Sequence, residues 1–282
     1  MAKQRSIQKE VQMTGLGLHT GEKVLLRFSP AKEGTGIIFR KIEGKDLVEI
    51  PAKVSYVQDT ARSTNIGLGS KKIYTIEHVL AALRASNIDN LYVDVQGSEP
   101  PVGDGSSLPY LEMIEKAGIH EQSANRSEFV LRSPVYYSEG EVHLVALPCD
   151  HYQISYTLHY PQAESVTAQY HSVRVDQETF RKEIAPCRTF SLYQEISYLI
   201  DRGLIKGGSL DNAIVIMDDV ILSKEGLRFE NEMARHKILD LIGDLSLIGI
   251  HLKAHIIAVR SGHSSNVAFA QKLLQHISTE AA

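Results

Sequence analysis

The chain has 282 residues, of which 43% are hydrophobic and 23% charged, and its net charge is −4. That length suits one large domain or two ordinary ones, with a core that needs no covalent staple. The slightly acidic balance gives no footprint for nucleic acid, and no run of about 18 apolar residues exists to span a bilayer. The two cysteines, Cys149 and Cys187, stand outside any CxxC or Cys/His spacing, which excludes a zinc knuckle. The opening MAKQRSIQKEVQMTG lacks the apolar run of a signal peptide, so a cytoplasmic protein is expected, and a monomer.

In chain order, VQMTGLGLHTGEKVLLRFSP reads as two alternating strands joined by a Gly/His/Thr turn, and GTGIIFRKI and LVEIPAKVSYV continue as strands. The first helix is predicted over 74–87, with Thr75 as N-cap and Ile76, Val79, Leu80 and Leu83 as its apolar side. LYVDVQG is a strand, EPPVGDGSS a loop and SLPYLEMIEKAGI a second helix. Residues 120–128, HEQSANRSE, are polar with no structured pattern, and a domain boundary is placed there, giving domains 1–122 and 127–282. The second half restarts with strands FVLRSPVYYSE, EVHLVALP and QISYTLHY. A helix around 191–203, a turn and strand at GGSLDNAIVIMDD, and a long helix over 231–247 follow. HLKAHIIAVRS is a strand, and a helix from Asn266 to His276 closes the chain. Both halves run strands, main helix, strand, helix, so the fold class predicted is α+β with two domains of like layout.

The long helix carries a polar row. His236, Asp240 and Asp244 recur every four residues and span about 80° of the helix, opposite Ile238, Leu241, Ile242 and Leu245. Such a row is ordinarily a solvated face. Here the side chains are short, and Gly243, Leu247 and Leu239 flank them, which suits a packed neighbour better than water. Side chains at i and i+4 have Cβ atoms roughly 6 Å apart, so His236 and Asp240 can reach one ion. Glu77-His78 on the other helix offers a third ligand, His78, with Glu77 flanking it near the bound water. Two His and one Asp suit catalytic zinc with an open position, and equally non-haem iron.

Other histidines fit less well. His251 and His255 are four apart in a strand, roughly 13 Å, and cannot chelate together. His143, His159 and His171 lie in or beside strands without partners. TGLGLHTG is followed by a strand rather than a helix, so a dinucleotide reading fails, and His19 is placed in a hairpin turn near a cleft. The RSGHSSN turn at 260–266 exposes His263 at a strand end, where Asp244, too far along its helix to ligate, could orient and charge it.

The motifs GLGLHTG (15–21), TIEHVLAAL (75–83), EPPVGDGS (99–106), IAPCRTF (184–190), GGSLDNAIV (207–215), LRFENEMARHKILDLIGDL (227–245) and SGH (261–263), in that order, closely resemble the UDP-3-O-acyl-N-acetylglucosamine deacetylase family. These are zinc enzymes of lipid A synthesis in Gram-negative bacteria. The resemblance implies two similar α/β domains whose helices pack between two outer sheets. It implies metal ligands at His78, His236 and Asp240, a general base at Glu77, and a second proton-handling residue at His263 hydrogen-bonded by Asp244. It places oxyanion stabilisation at Thr189 and substrate contacts at Lys237, Phe190 and Arg260. It also implies an insert over about 191–220 forming an apolar acyl passage, for which Leu192, Ile196, Leu199, Ile200 and Leu204 supply the side chains; read without the resemblance, these are a small local core. The substrate implied is a UDP-activated acylated amino sugar. The chain departs from the family's usual residues at Ser191, Cys187, Ser264 and Ser265. A non-catalytic metal protein, a sugar kinase on related domains and an iron oxygenase are the rival readings. Glu77 and His263 argue against the first, the lack of a phosphate loop opening a helix against the second, and the lack of any sign of a 2-oxo acid site against the third.

Overall fold

The computed structural model describes residues 2–280, apart from 45, 162, 164, 165, 167, 218 and 219. The first half contains β1 (Lys3–Ile7), β2 (Val11–Leu16), β3 (Lys23–Pro30), β4 (Ile37–Glu43) and β5 (Asp46–Pro51). Short strands β6 (Val57–Asp59), β7 (Asn65–Leu68) and β8 (Lys71–Ile73) follow, then α1 (Glu77–Ala85), β9 (Leu91–Gln96), α2 (Leu108–Ala117) and β10 (Ile119–Asn125). The second half contains β11 (Glu128–Val130), β12 (Val135–Glu139), β13 (Val142–Pro148), β14 (Tyr152–His159), β15 (Ala168–Arg174) and α3 (Gln177–Thr179). It continues through β16 (Phe190–Leu192), α4 (Tyr193–Asp201), β17 (Ile214–Met217), β18 (Val220–Leu222), α5 (Glu232–Ser246), β19 (His251–Val259) and α6 (His263–Glu280).

The two halves share one plan. In the first, hairpins β2–β3 and β4–β5 are joined by β9, which runs between β3 and β4 and parallel to β4. In the second, hairpins β12–β13 and β14–β15 are joined by β19, which runs between β13 and β14 and parallel to β14. In each half a main helix, α1 or α5, immediately precedes the strand that completes the sheet. Period-two burial turns one face of each sheet inward: Val24, Leu26 and Phe28 on β3, Val93 and Val95 on β9, Ile154, Tyr156 and Leu158 on β14, and Ala254, Ile256 and Ala258 on β19 are buried. The helices lie between the sheets. α1 packs on α2 and α5, α5 also meets β14 and β15, α2 packs on β2, and α6 on β12 and β13.

This arrangement explains why α1 is apolar nearly all round. Every residue from Glu77 to Ala85 except Arg84 is buried, because neighbours surround the helix. The approach of α1 to α5 is close: a Cβ on Gly243 would lie 2.1 Å from the Glu77 carbonyl oxygen. Arg188, fully buried, grips Glu232 at the start of α5 through Nε at 2.9 Å and Nη2 at 3.1 Å, and so ties the IAPCRTF segment to that helix. Among the described residues, no helix is long and apolar enough to cross a membrane.

Three expectations need correction. Thr75 does not cap α1. It adopts a left-handed conformation (φ 55°) with its N–H on Asn65 Oδ1, and the helix starts after Ile76. Residues 120–128 are not unstructured, since most of them form β10, which pairs antiparallel with β1. That strand is largely exposed and polar, so apolar alternation could not reveal it. The last helix is longer than expected, because His263 is its first residue rather than part of a turn before it, and it runs to Glu280.

Gly243→Ala is expected to lower stability by about 1–3 kcal/mol, the usual cost of overpacking, because neither backbone can yield without opening the α1–α5 contact. An unchanged urea midpoint would show that the two helices have slack at this point.

Candidate metal and catalytic site

The α1–α5 contact sets residues from both halves of the chain side by side. Glu77 and His78 stand on the first turn of α1, and His236, Lys237, Asp240 and Asp244 on α5. His263 opens α6 across from them. All these side chains except that of Lys237 are buried, so the polar row on α5 is not a wet face.

His78 Nε2 lies 3.5 Å and His236 Nε2 3.3 Å from the same oxygen, Asp240 Oδ1. The ligand atoms of the three residues all fall within 4.8 Å of one another. Asp240 Oδ1 is buried and accepts no hydrogen bond, while Oδ2 takes one from Lys237 Nζ at 2.7 Å. An orphaned buried carboxylate oxygen is costly unless something positive sits against it. His236 Nδ1 faces the Cys187 carbonyl at 3.0 Å, and only an N–H can satisfy a carbonyl. Nε2 therefore keeps its lone pair toward Asp240, the usual arrangement of a ligating imidazole. Burial lowers the His236 pKa to about 4, so the ring is neutral and able to ligate. Burial works to raise the Asp240 carboxyl, but His236 and Lys237 outweigh it and hold the group well below the usual carboxylate range. Two imidazoles and an anionic carboxylate with an unsatisfied oxygen together fit a divalent cation.

A second chain of contacts adjoins the first. His263 Nδ1 meets Asp244 Oδ2 at 3.0 Å, and its Nε2 stands 3.9 Å from both Glu77 Oε1 and Asp240 Oδ2. Burial would lower its pKa, but Asp244 and Glu77 raise it to about 9, so the ring carries a proton at neutral pH. Burial pushes the Glu77 carboxyl up, against the pull of His263 and His78. Its Oε2 accepts the Thr64 N–H at 3.0 Å.

Two participants had escaped the sequence. The Thr64 hydroxyl donates to Asp244 Oδ1 at 2.5 Å and Asn266 Nδ2 to Asp244 Oδ2 at 2.9 Å, so Asp244 is held on both oxygens. Nothing in STNIGLG marks Thr64, since its place depends on the tertiary fold. Asn266 had a signal: it lies three residues after His263, hence on the same helix face.

The site opens into a cavity of about 410 Å³ lined by Glu77, His78, Thr189, Phe190, Leu192, His236, Lys237, Asp240 and His263, among others. Thr189 is placed by its N–H on the Gly105 carbonyl at 2.9 Å. Gly105 has φ 83° and no room for a Cβ, which would sit 1.8 Å from the Asn212 carbonyl oxygen, so the EPPVGDGS loop needs glycine there. The Phe190 ring stands edge-on to His236 at 6.0 Å, and Lys237 Nζ lies 5.4 Å from its centroid. A second, more apolar cavity of about 270 Å³ adjoins it, sharing Leu18, Arg62 and residues 189–191, with Ile196, Leu199, Ile200, Ile205 and Val215 in its wall. Leu204 is not in that wall. Arg260 lines neither cavity; its Nη1 pairs with Glu141 at 2.7 Å. Other histidines have local partners: His251 bonds Asp89 and His255 bonds Ser155, and His171 and His159, expected to stand without partners, lie 3.3 Å from Glu183 and 3.4 Å from Arg260. His19, buried at the hairpin tip, forms part of the apolar cavity's wall.

A family model described as LpxC, UDP-3-O-acyl N-acetylglycosamine deacetylase, matches residues 4–275. A UDP-3-O-acyl-N-acetylglucosamine deacetylase of Chlamydia pneumoniae is 50% identical over 273 residues, which is 96% of this chain and 97% of its own. That of Chlamydia caviae is 50% identical over 274 residues, 96% of this chain and 97% of its own. That of Chlamydia trachomatis serovar L2 is 44% identical over 277 residues, 98% and 96% of the two chains.

The His263 environment has a thermodynamic signature. Its folded pKa of about 9 lies above the ordinary 6.5, so its stabilising contribution is complete below pH 6.5 and is lost as pH rises through 9. In metal-free protein, urea unfolding is expected to show a fall of a few kcal/mol across that window. His263→Gln should flatten it, and an identical slope in that variant would assign the loss to another group.

Proposed function

The chain belongs to the UDP-3-O-acyl N-acetylglycosamine deacetylase family, and on that premise we propose that it hydrolyses the N-acetyl group of UDP-3-O-(3-hydroxyacyl)-N-acetylglucosamine to acetate and the free 2-amine. This is the committed step of lipid A synthesis and would proceed in the cytoplasm. The observation that carries a metal-dependent reading is the orphaned Asp240 Oδ1, facing two imidazole Nε2 atoms at 3.3 and 3.5 Å. His78, His236 and Asp240 would hold zinc, with Fe2+ as the alternative that the same donors accept. When bound there, the ion supplies Lewis acidity to the attacking water and to the acetamide carbonyl.

The chain's own residues divide the remaining work. Glu77, fixed on one oxygen by the Thr64 N–H, keeps Oε1 free to take a proton from the attacking water. Its raised pKa makes it a better base than an exposed carboxylate. His263, charged at neutral pH and oriented by Asp244, directs Nε2–H into the cavity to stabilise developing charge and protonate the leaving amine. The Thr189 hydroxyl, in the cavity wall, adds a donor for the oxyanion. Lys237 and Phe190 form the adjoining wall, where an ammonium and a ring can hold the sugar nucleotide. Arg260 would have to leave Glu141 to join them. The apolar cavity along α4 is the proposed acyl passage, where each buried methylene contributes about 0.8 kcal/mol.

Acetate release is expected to vanish on chelation and return with about one zinc per chain. Glu77→Ala and His263→Ala should each keep the metal and lose at least 100-fold in kcat, on the order expected for a lost proton carrier. Near-normal turnover in either variant would remove that residue from the mechanism. Ile196→Trp, which fills the passage, should raise KM for long acyl chains and leave short ones nearly unaffected. An equal effect on both would place the acyl chain elsewhere.

A further inference from the structure

Away from the catalytic cavity, three consecutive side chains with ligand chemistry make up a whole connection. β13 ends at Pro148 and β14 begins at Tyr152, so Cys149, Asp150 and His151 join them. Pro148 and Tyr152 both lie opposite Ala254 of β19, which runs between their strands. The link must therefore step across one strand, about 10 Å of the roughly 14 Å that so short a segment can reach. The chain bends at Asp150 and His151 as it makes this step, and the bend brings Cys149 and His151 together. Cys149 Sγ is 3.3 Å from His151 Nδ1. Asp150 Oδ1 lies 2.5 Å from that nitrogen and 3.9 Å from the sulfur.

The neighbours fix the state of the imidazole. The Gln153 amide nitrogen donates to Ser172 Oγ at 3.2 Å, which leaves Gln153 Oε1 facing His151 Nε2 at 3.1 Å. An amide oxygen only accepts, so Nε2 must carry hydrogen. With Nε2 protonated, Nδ1 faces the Asp150 carboxylate, and the Cys149 sulfur, 3.3 Å from Nδ1 and 3.7 Å from Nε2, lies beside it over the ring face. A lone pair and a carboxylate oxygen at 2.5 Å repel each other unless a proton lies between them, and an ion would take the place of that proton. Outward N–H donation to a neighbouring oxygen, with the other nitrogen aimed at further donors, is the support that ligating histidines receive. The three ligand atoms lie within 4.8 Å of one another. Around a tetrahedral zinc-sized ion, sulfur and nitrogen stand about 3.5 Å apart, close to the 3.3 Å present, while the exposed Asp150 side chain would swing its oxygen out from 2.5 Å to about 3.3 Å from the nitrogen.

We propose that Cys149, Asp150 and His151 form a second metal site, separate from the catalytic ligands, for a thiophilic divalent cation of the zinc and cadmium class. A thiolate, an imidazole and a carboxylate are the donors such ions select, and the exposure of Asp150 leaves a further position to water. On binding, the thiol proton leaves to solvent and a sulfur lone pair forms the bond to the ion. The occupied site would pin the strand-crossing link.

The test is a cadmium titration of the zinc-loaded, full-length chain, read by thiolate-to-cadmium charge-transfer absorption. A two-His, one-Asp catalytic site has no sulfur and is silent in this readout, so the result stands apart from the deacetylase reading. The band is expected to saturate at about one cadmium per chain, to vanish in Cys149→Ser, and to need ~10–100-fold more cadmium in His151→Ala. Cys149→Ser should keep its acetate-releasing activity, which shows that the chain is folded. A band absent from the parent protein would mean that a proton, not a metal, sits between Nδ1 and Asp150. A band surviving in Cys149→Ser would belong to Cys187. Either outcome, or an unaffected His151→Ala, would overturn the site.

Discussion

The backbone approach of α5 to α1 is the constraint on which the rest of the molecule turns. Gly243 leaves so little space that the Glu77 carbonyl occupies the position of a missing side chain. Two ligands on α5 and one on α1 can share an ion only if the two helices meet at this distance. The same contact buries Glu77 and His78 on a helix that is otherwise apolar, and their burial creates the electrostatics of the site. Exposed to water, His236 would titrate near neutrality and compete with protons for any metal; buried, it is neutral, with a pKa of about 4.

The acid–base pair follows from the same packing. Glu77 and His263 share one low-dielectric pocket, yet their proton affinities are set by different partners. Glu77 is raised chiefly by burial, whereas His263 rises against burial because Asp244 and Glu77 lie beside it. Asp244 can serve in this way because Thr64 and Asn266 satisfy both its oxygens without giving it a proton. A site assembled from both halves of the chain thus depends on Thr64, a residue that touches neither the cavity nor any ligand.

Much of this was legible in the sequence, for identifiable reasons. The i, i+4 spacing on a well-patterned helix fixes which side chains share a face, so the His236–Asp240–Asp244 row could be read directly. Short polar residues flanked by Gly243 and Leu247 pointed to a packed neighbour, and α1 is that neighbour. His78 was offered as the third ligand from its place beside Glu77 on the other helix, and the family resemblance joined it to the same ion, because no local pattern relates α1 to α5. Three features stayed hidden. Exposed β10 offers no apolar period. The start of α6 at His263 follows Gly262, which has no side chain to mark a helix cap; Ser265 instead reaches back to accept the Gly262 N–H. The Cys149–Asp150–His151 link takes its geometry from the strand it crosses, and its spacing matches no metal motif. Arg260 shows the limit of carry-over by motif, since its side chain turns to Glu141 rather than to the cavity.

The central claim is that one ion is held by an imidazole from the first half of the chain and by an imidazole and a carboxylate from the second. X-ray absorption at the zinc edge, on protein loaded with a single equivalent, tests this most directly. The account predicts a shell of nitrogen and oxygen at about 2.0–2.2 Å with two imidazoles and no sulfur, one imidazole of which disappears in His78→Ala. Sulfur in the shell, or a spectrum unchanged by His78→Ala, would contradict it.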